Sequence, residues 1–289
     1  MSFKRIKPKY RLLCILLALL VLGAGVGVCL SHGEWWFSLG LALRRYPAPD
    51  LIPLIETGET RTWTLEELLL EEGVTLSRDL LLVNASHSLP SDYQAELEEY
   101  NGARMHPRMV EPYVALRDAV QAKTGVRIYV SSDYRTAEEQ AAIIAESEDG
   151  IAASIGCSEH EAGLALDVYA PYYAGEEFLG SPAGREVNTV CHEYGFIIRY
   201  PKGKEAITGI SYEPWHLRYV GKPHAEIMME SGLTLEEYLD LFSVGSWYRH
   251  GEYLITKCAP EELSLITGWS ECNLSPDNGG NYIVTLKMP

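Results

Sequence analysis

Residues 12–30 read LLCILLALLVLGAGVGVCL, nineteen residues without a charge. In hydrocarbon the backbone must satisfy its own hydrogen bonds, so such a run has one stable form, a helix of ~20 residues spanning the bilayer. Lys4, Arg5, Lys7, Lys9 and Arg11 precede it and no acid does, which orients the N-terminus toward the cytoplasm. A cleaved signal peptide has a shorter apolar core and a small-x-small cleavage site. Here the small residues, Ala24 to Val28, lie inside the run, so an uncleaved signal anchor fits better. Val28 before Cys29 is a poor match to a lipoprotein anchor. The expectation is a basic cytoplasmic segment at 1–11, a single transmembrane helix at 12–30, and the rest of the chain outside the cytoplasm at the cell membrane.

The whole chain carries a net charge of −16. An acidic body of this kind is no partner for nucleic acid. Beyond the apolar run, Trp35, Trp36 and Phe37 suit a membrane–water interface or a packed surface, and Pro47, Pro49 and Pro53 mark a stalk, so residues 31–60 are expected to link anchor and body. Cys157, Cys191, Cys258 and Cys272 lie past the anchor. None has the CxxC spacing of a structural zinc site, so they are expected to be disulfides or inert buried thiols, with Cys258–Cys272 compatible with a local bridge.

Thr64-Leu-Glu-Glu67 and Thr234-Leu-Glu-Glu237 are capping boxes that start helices. A helix is also expected over 109–123, another from Thr136, and a third from Ser181-Pro182 to near Gly195. Strands are expected at 80–84 (LLLVN), in VRIYVSSDYR ending at a loop with Arg135 on its lip, in GLALDVY, in GFIIRYP, and in EPWHLRYVG. From about 245 the chain turns aromatic and Gly-rich, with strand-like EYLIT and NYIVTLKM. Helices and short strands alternate without regular βαβ spacing, which predicts an α+β fold with an antiparallel sheet and flanking helices. The expected organisation is one domain over 61–244 and a small C-terminal β-like appendage at 245–289.

The stretch SEHEAGLALDV, Ser158 to Val168, carries the chemistry. A catalytic zinc takes three protein ligands from His nitrogen and carboxylate oxygen and keeps one open position. His160 at the start of a strand and Asp167 at its far end supply two, with Ala162, Gly163 and Ala165 leaving room for close approach. His216 in YEPWHLRYVG supplies the third. Glu213, three residues before it, is placed to take a proton from water at the metal and hand it to a leaving amine. Arg135 offers a guanidinium fork for an oxyanion or a terminal carboxylate. Taken singly, each has a plainer explanation: a hydrogen-bonded histidine, a turn-capping aspartate, a packing corner around Trp215, a surface ion pair. The case rests on the combination.

These residues give the chain a close resemblance to the zinc D-alanyl-D-alanine carboxypeptidases of the VanY type, within the LAS group of peptidoglycan peptidases. The pattern S-x-H-x-x-G-x-A-x-D followed by E-x-x-H is met in full by Ser158, His160, Gly163, Ala165, Asp167, Glu213 and His216. SSDYRTAEEQ matches a further segment at Arg135 and Gln140, with Asp133 where glycine is commoner. The resemblance covers roughly residues 80–225. It implies a LAS/hedgehog-like fold, zinc held by His160, Asp167 and His216, Glu213 as general base, and Arg135, Ser158, Gln140 and Trp215 at the substrate. The implied substrate is a peptidoglycan stem peptide or its lipid-linked precursor, cut to release the terminal D-alanine. The same ligand set serves L,D-carboxypeptidases and endopeptidases, and a non-catalytic stem-peptide-binding module is the alternative from another class.

Overall fold

The computed structural model describes residues 33–55, 58–146 and 153–289. The anchor expected at 12–30 lies outside them; among the described residues no helix is long and apolar enough to cross a membrane. In chain order come helix α1 (Gly33–Leu43), strands β1 (Ile52–Pro53) and β2 (Thr60–Trp63), helix α2 (Leu65–Leu68), strand β3 (Val74–Leu76) and the hairpin β4 (Glu98–Tyr100) and β5 (Ala103–Met105). Helix α3 (Pro107–Thr124), β6 (Tyr129–Ser132), α4 (Ala137–Glu146), β7 (Ala165–Tyr169), α5 (Pro182–Val190), β8 (Phe196–Ile198), α6 (Glu205–Thr208) and β9 (His216–Tyr219) follow. The chain ends with α7 (His224–Ser231), α8 (Leu235–Asp240) and strands β10 (Trp247–His250), β11 (Tyr253–Cys258), β12 (Leu263–Ile266), β13 (Glu271–Pro276) and β14 (Tyr282–Lys287).

A four-stranded antiparallel sheet in the order β6-β7-β9-β8 carries the candidate site. Alternation along β7 divides its residues between two faces. Leu166 and Val168 are fully buried in a core with Met109, Leu116 and Val120 of α3, Val187 of α5 and Phe196 of β8. Asp167 is left for the other face. Helix α3 is delimited locally: Pro107 opens it, the His106 side chain accepts from the Arg108 N–H, and Gly125 ends it in the left-handed region at φ 74°.

Residues 80–84 depart from the expected strand. Leu80, Leu81, Leu82 and Val83 are buried, but no ladder forms there. Side chains satisfy the backbone instead: Arg218 donates to the carbonyls of Asp79 and Leu81, Asn278 to that of Leu82, and Ser275 Oγ accepts from the Leu80 N–H. A buried backbone needs partners of some kind, and here they are not a neighbouring strand.

A second sheet, in the order β1-β10-β11-β14-β13-β3, contains most of the C-terminal strands. It is antiparallel except where β13 pairs parallel to β3. β12 pairs with β2. Strands from 52–76 therefore complete the sheets of 247–287, across the boundary expected at residue 245. The segment expected as a linker also holds α1, which packs on the 3₁₀ turn at Gly175–Gly180 and on α5. The Tyr46 ring lies over Gly232, where an added Cβ would meet it at 2.5 Å.

Cys157, Cys191, Cys258 and Cys272 are free thiols. Cys258 and Cys272 lie on strands separated by β14, opposite Tyr282 and Leu286 respectively, so the local bridge compatible with their spacing is not formed. Burial pushes the Cys191 and Cys272 thiols up to about 12, the inert form of the two expected.

Candidate metal centre and active site

Asp167 on β7 and His216 at the start of β9 are directly paired across the ladder, so their side chains rise together from one face. His160 comes from the tight turn that precedes β7. Its carbonyl accepts from the Gly163 N–H, and Gly163 has φ +72°. A Cβ there would lie 3.0 Å from Leu97 Cδ2 and 3.3 Å from Ala95 Cβ. The motif glycine thus serves a left-handed turn and the packing of residues 95–97, rather than the approach of a metal, as sequence reasoning held.

The three ligand candidates converge: one donor atom from each of His160, Asp167 and His216 lies within 4.8 Å of the others. His160 Nε2 is 3.4 Å from Asp167 Oδ2, and His216 Nδ1 is 3.0 Å from Asp167 Oδ1. The imidazoles meet edge to face at 5.0 Å and 88°. The His160 ring is fixed from behind, its Nδ1 2.7 Å from the Asp133 carbonyl, which leaves Nε2 for the site. The Asp133 carboxylate accepts from the Arg104 N–H, tying this loop to β5. That gives the residue standing in place of glycine a structural task.

A cation fits this set. Asp167 Oδ1 is buried and faces His216 Nδ1 at 3.0 Å without an aligned hydrogen bond, and a buried carboxylate is costly unless positive charge faces it. Burial alone would raise the Asp167 carboxyl, but the two imidazoles outweigh it and hold it far below the usual range. Burial lowers His216, yet the carboxylates of Asp167 and Glu159 carry it up to about 9. Both groups report a position that favours positive charge. Two imidazoles and one carboxylate are the donor set of an open, hydrolytic metal site.

Glu213 Oε2 lies 3.6 Å from His216 Nδ1. Its N–H donates to the Tyr200 carbonyl, and its own carbonyl accepts from the His216 N–H, so the E-x-x-H stretch is a turn that delivers His216 onto β9. Burial raises the Glu213 carboxyl above the ordinary carboxylate range, against the weaker pull of His216. Arg135 sits on the opposite side. Its fork donates to Ser132 Oγ at 2.9 and 3.2 Å and to Gln140 Oε1 at 3.3 Å, with Nη2 3.6 Å from Asp167 Oδ2. Gln140 is buried and donates to the Ala153 carbonyl. The cleft, about 280 Å³, is lined by Arg135, Gln140, Ser158, Glu213 and Trp215 around the three ligand candidates. Every residue expected at the site is therefore in one cleft. Missed were Ser132, which holds the fork, Tyr200, whose ring lies 4.8 Å from that of His216 at a tilt of 51°, and Glu159, buried behind His216 at 3.5 Å. Glu159 sat inside the motif at a position read as variable, beside the equally charged Glu161, so no local signal set it apart.

Asp167 and His216 rise from the sheet, His160 comes from the turn before it, and Glu213 and Arg135 stand beside them; with the relatives that match the chain, this is the site of a peptidase, a hydrolase. A family model described as VanY, D-alanyl-D-alanine carboxypeptidase, matches residues 102–222. A D-alanyl-D-alanine carboxypeptidase of Enterococcus faecalis is 39% identical over 190 residues, which cover 59% of this chain and 69% of that protein. The chain belongs to the VanY family. Among solved structures, a VanY D,D-pentapeptidase mutant from the VanB-type resistance cassette, in complex with Zn(II), is 38% identical with a TM-score of 0.51, covering 56% of this chain and 98% of that one. The LdcB LD-carboxypeptidase is 33% identical with a TM-score of 0.52, covering 59% and 91%.

Proposed function

We propose that this chain is a zinc-dependent D,D-carboxypeptidase that hydrolyses the last peptide bond of peptidoglycan stem pentapeptides or their lipid-linked precursor. The observation that carries the reading is the convergence of His160, Asp167 and His216 within 4.8 Å beside the half-buried Glu213. Zinc held by those three supplies Lewis acidity that polarises a carbonyl and acidifies water at neutral pH. Glu213 takes a proton from the attacking water and returns it to the leaving nitrogen as the C–N bond breaks, releasing D-alanine and the shortened peptide. Its raised affinity for a proton suits both halves of that exchange. The Arg135 fork, braced by Ser132 and Gln140, binds the terminal carboxylate or the developing oxyanion. Trp215 walls the cleft, and Ser158 lines it beside His160.

The likeness to an LD-carboxypeptidase at 33% identity favours a second reading, removal of D-alanine from the tetrapeptide by the same residues. Full-length protein in detergent, supplied with zinc, is incubated with muramyl pentapeptide and with tetrapeptide, and products are followed by mass. The proposal expects loss of one D-alanine from the pentapeptide alone, abolished by chelator. Cleavage of the tetrapeptide alone moves the specificity to L,D, and cleavage of neither overturns both. Residues 12–30, uncharged throughout, are read as the anchor that holds the enzyme on the outer side of the membrane where its precursor substrate is tethered.

A further inference from the structure

Behind His216, on the side away from the cleft, lies a buried cluster of four charges. Glu159 is 1% exposed, and Arg199 and Arg218 are fully buried. Glu159 Oε1 accepts from Arg199 Nε at 2.6 Å and from Arg218 Nη1 at 2.7 Å. Arg218 spends its remaining donors on the carbonyls of Tyr219, Asp79 and Leu81. Arg199 turns its other two nitrogens to Glu236 of α8, at 2.6 and 2.8 Å, and Glu236 also accepts from Asn84. Two carboxylates and two guanidiniums leave the cluster neutral, so it stands in the core only while complete. One oxygen stays unused. Glu159 Oε2 and His216 Nε2 are both buried with no hydrogen-bond partner, and they face each other at 3.5 Å.

We infer that Glu159 is the positioning residue for His216: its free oxygen accepts the Nε2–H, which fixes the imidazole tautomer and leaves Nδ1, the nitrogen on the Asp167 side, to bind the metal. The inference rests on the reading of His160, Asp167 and His216 as metal ligands. A ligating histidine whose second nitrogen donates to a carboxylate is held in rotation and made more basic. Here that carboxylate is itself clamped by two arginines, and one clamp is locked by Glu236 and Asn84. Both of these lie outside residues 102–222, the stretch matched by the family model. The candidate metal centre of this chain is thus braced by α8 and by the segment before β4.

The test uses full-length protein in detergent with labelled histidine, loaded with zinc, and reads ring nitrogens by NMR. Nδ1 of His216 is expected to be the metal-bound nitrogen, with a slowly exchanging proton on Nε2. Glu159→Gln is expected to weaken zinc affinity, measured against a competing chelator, by ~10–100-fold. Glu236→Gln, which loosens Arg199 while keeping Glu159, is expected to weaken it by a smaller factor. Melting of each metal-free variant separates loss of fold from loss of affinity; should Glu159→Gln fail to fold, the wild-type ring assignment and Glu236→Gln decide. Zinc bound through Nε2, or a folded Glu159→Gln with unchanged affinity, overturns this inference alone. A wild type that binds no zinc overturns the metal reading and this inference with it.

Discussion

At the scale of single residues, the site asks different things of groups that look alike in sequence. Arg135 works as a fork: two of its nitrogens meet Ser132 Oγ and a third meets Gln140. Arg135→Lys keeps the charge and loses the planar geometry. If the fork binds a developing oxyanion, kcat/KM is expected to fall by ~10²-fold or more, with zinc content unchanged; a loss under threefold would remove Arg135 from catalysis. Gly163 is a backbone residue. At φ +72°, with Leu97 and Ala95 crowding the place a Cβ would take, Gly163→Ala is expected to lower stability by about 1–3 kcal/mol in urea unfolding, and a neutral result would contradict the packing account. His160, Asp167, His216, Glu213 and Arg135, which the structure gathers in one cleft, were legible as a candidate set because the chemistry proposed for them demands particular residue types in a fixed order. Glu159 was not. Its role depends on Arg199 and Arg218, which reach it only through the β8–β9 pairing, and no local pattern announces a buried ion cluster.

At the scale of elements, the helices with caps announced themselves, while α1, α6, α7 and several strands did not. Thr64 and Thr234 each form the expected capping box with a glutamate three residues on, a signal contained in four residues. β1, β2 and β3 are two to four residues long and pair with strands about 195 to 206 residues away, so nothing near them in sequence shows that they are strands. Helix α7, absent from the sequence reading, is fixed by a buried histidine. His224 Nδ1 is 2.7 Å from the Tyr238 hydroxyl on α8, and its Nε2 is 3.0 Å from Thr285 Oγ1 on β14. Burial lowers its pKa from 6.5 to about 3. Above pH 6.5 the ring is neutral whether folded or unfolded and contributes no pH dependence. As pH falls below 6.5 the unfolded chain binds a proton that the native state refuses, so stability is lost progressively toward pH 3. Between pH 7.5 and pH 5 this residue is expected to cost about 2 kcal/mol. Comparing wild type with His224→Gln isolates it from the carboxylates: the variant is expected to lose about that much less stability over the same interval, and parallel pH curves would contradict the assignment.

At the scale of the whole molecule, the C-terminal strands share a core with the domain that carries the site. Ile255 and Ile283 are buried among Leu80, Leu82, Val220, Ala225 and Met228, and β3 and β2 close the sheets from the N-terminal side. Deleting 245–289 would open that core to water, at a cost of ~2–5 kcal/mol for each large side chain lost from it. The truncated chain is expected to be insoluble or to lose cooperative unfolding, and a soluble monomer melting like the wild type would show the strands to be separable. The composition shifts near 245, but no local signal in the sequence shows that residues 52–76 return to pair with the strands beyond it.

The central claim is that His160, Asp167 and His216 hold a zinc ion for which Glu213 is the base, and it divides into two quantities measurable on one variant. Zinc content and pentapeptide turnover are measured side by side for wild type and Glu213→Gln. The account predicts about one zinc per chain in both, with kcat lowered by ~10²–10⁴-fold in the variant. Turnover reduced by less than tenfold, or a variant that loses its zinc, would contradict it.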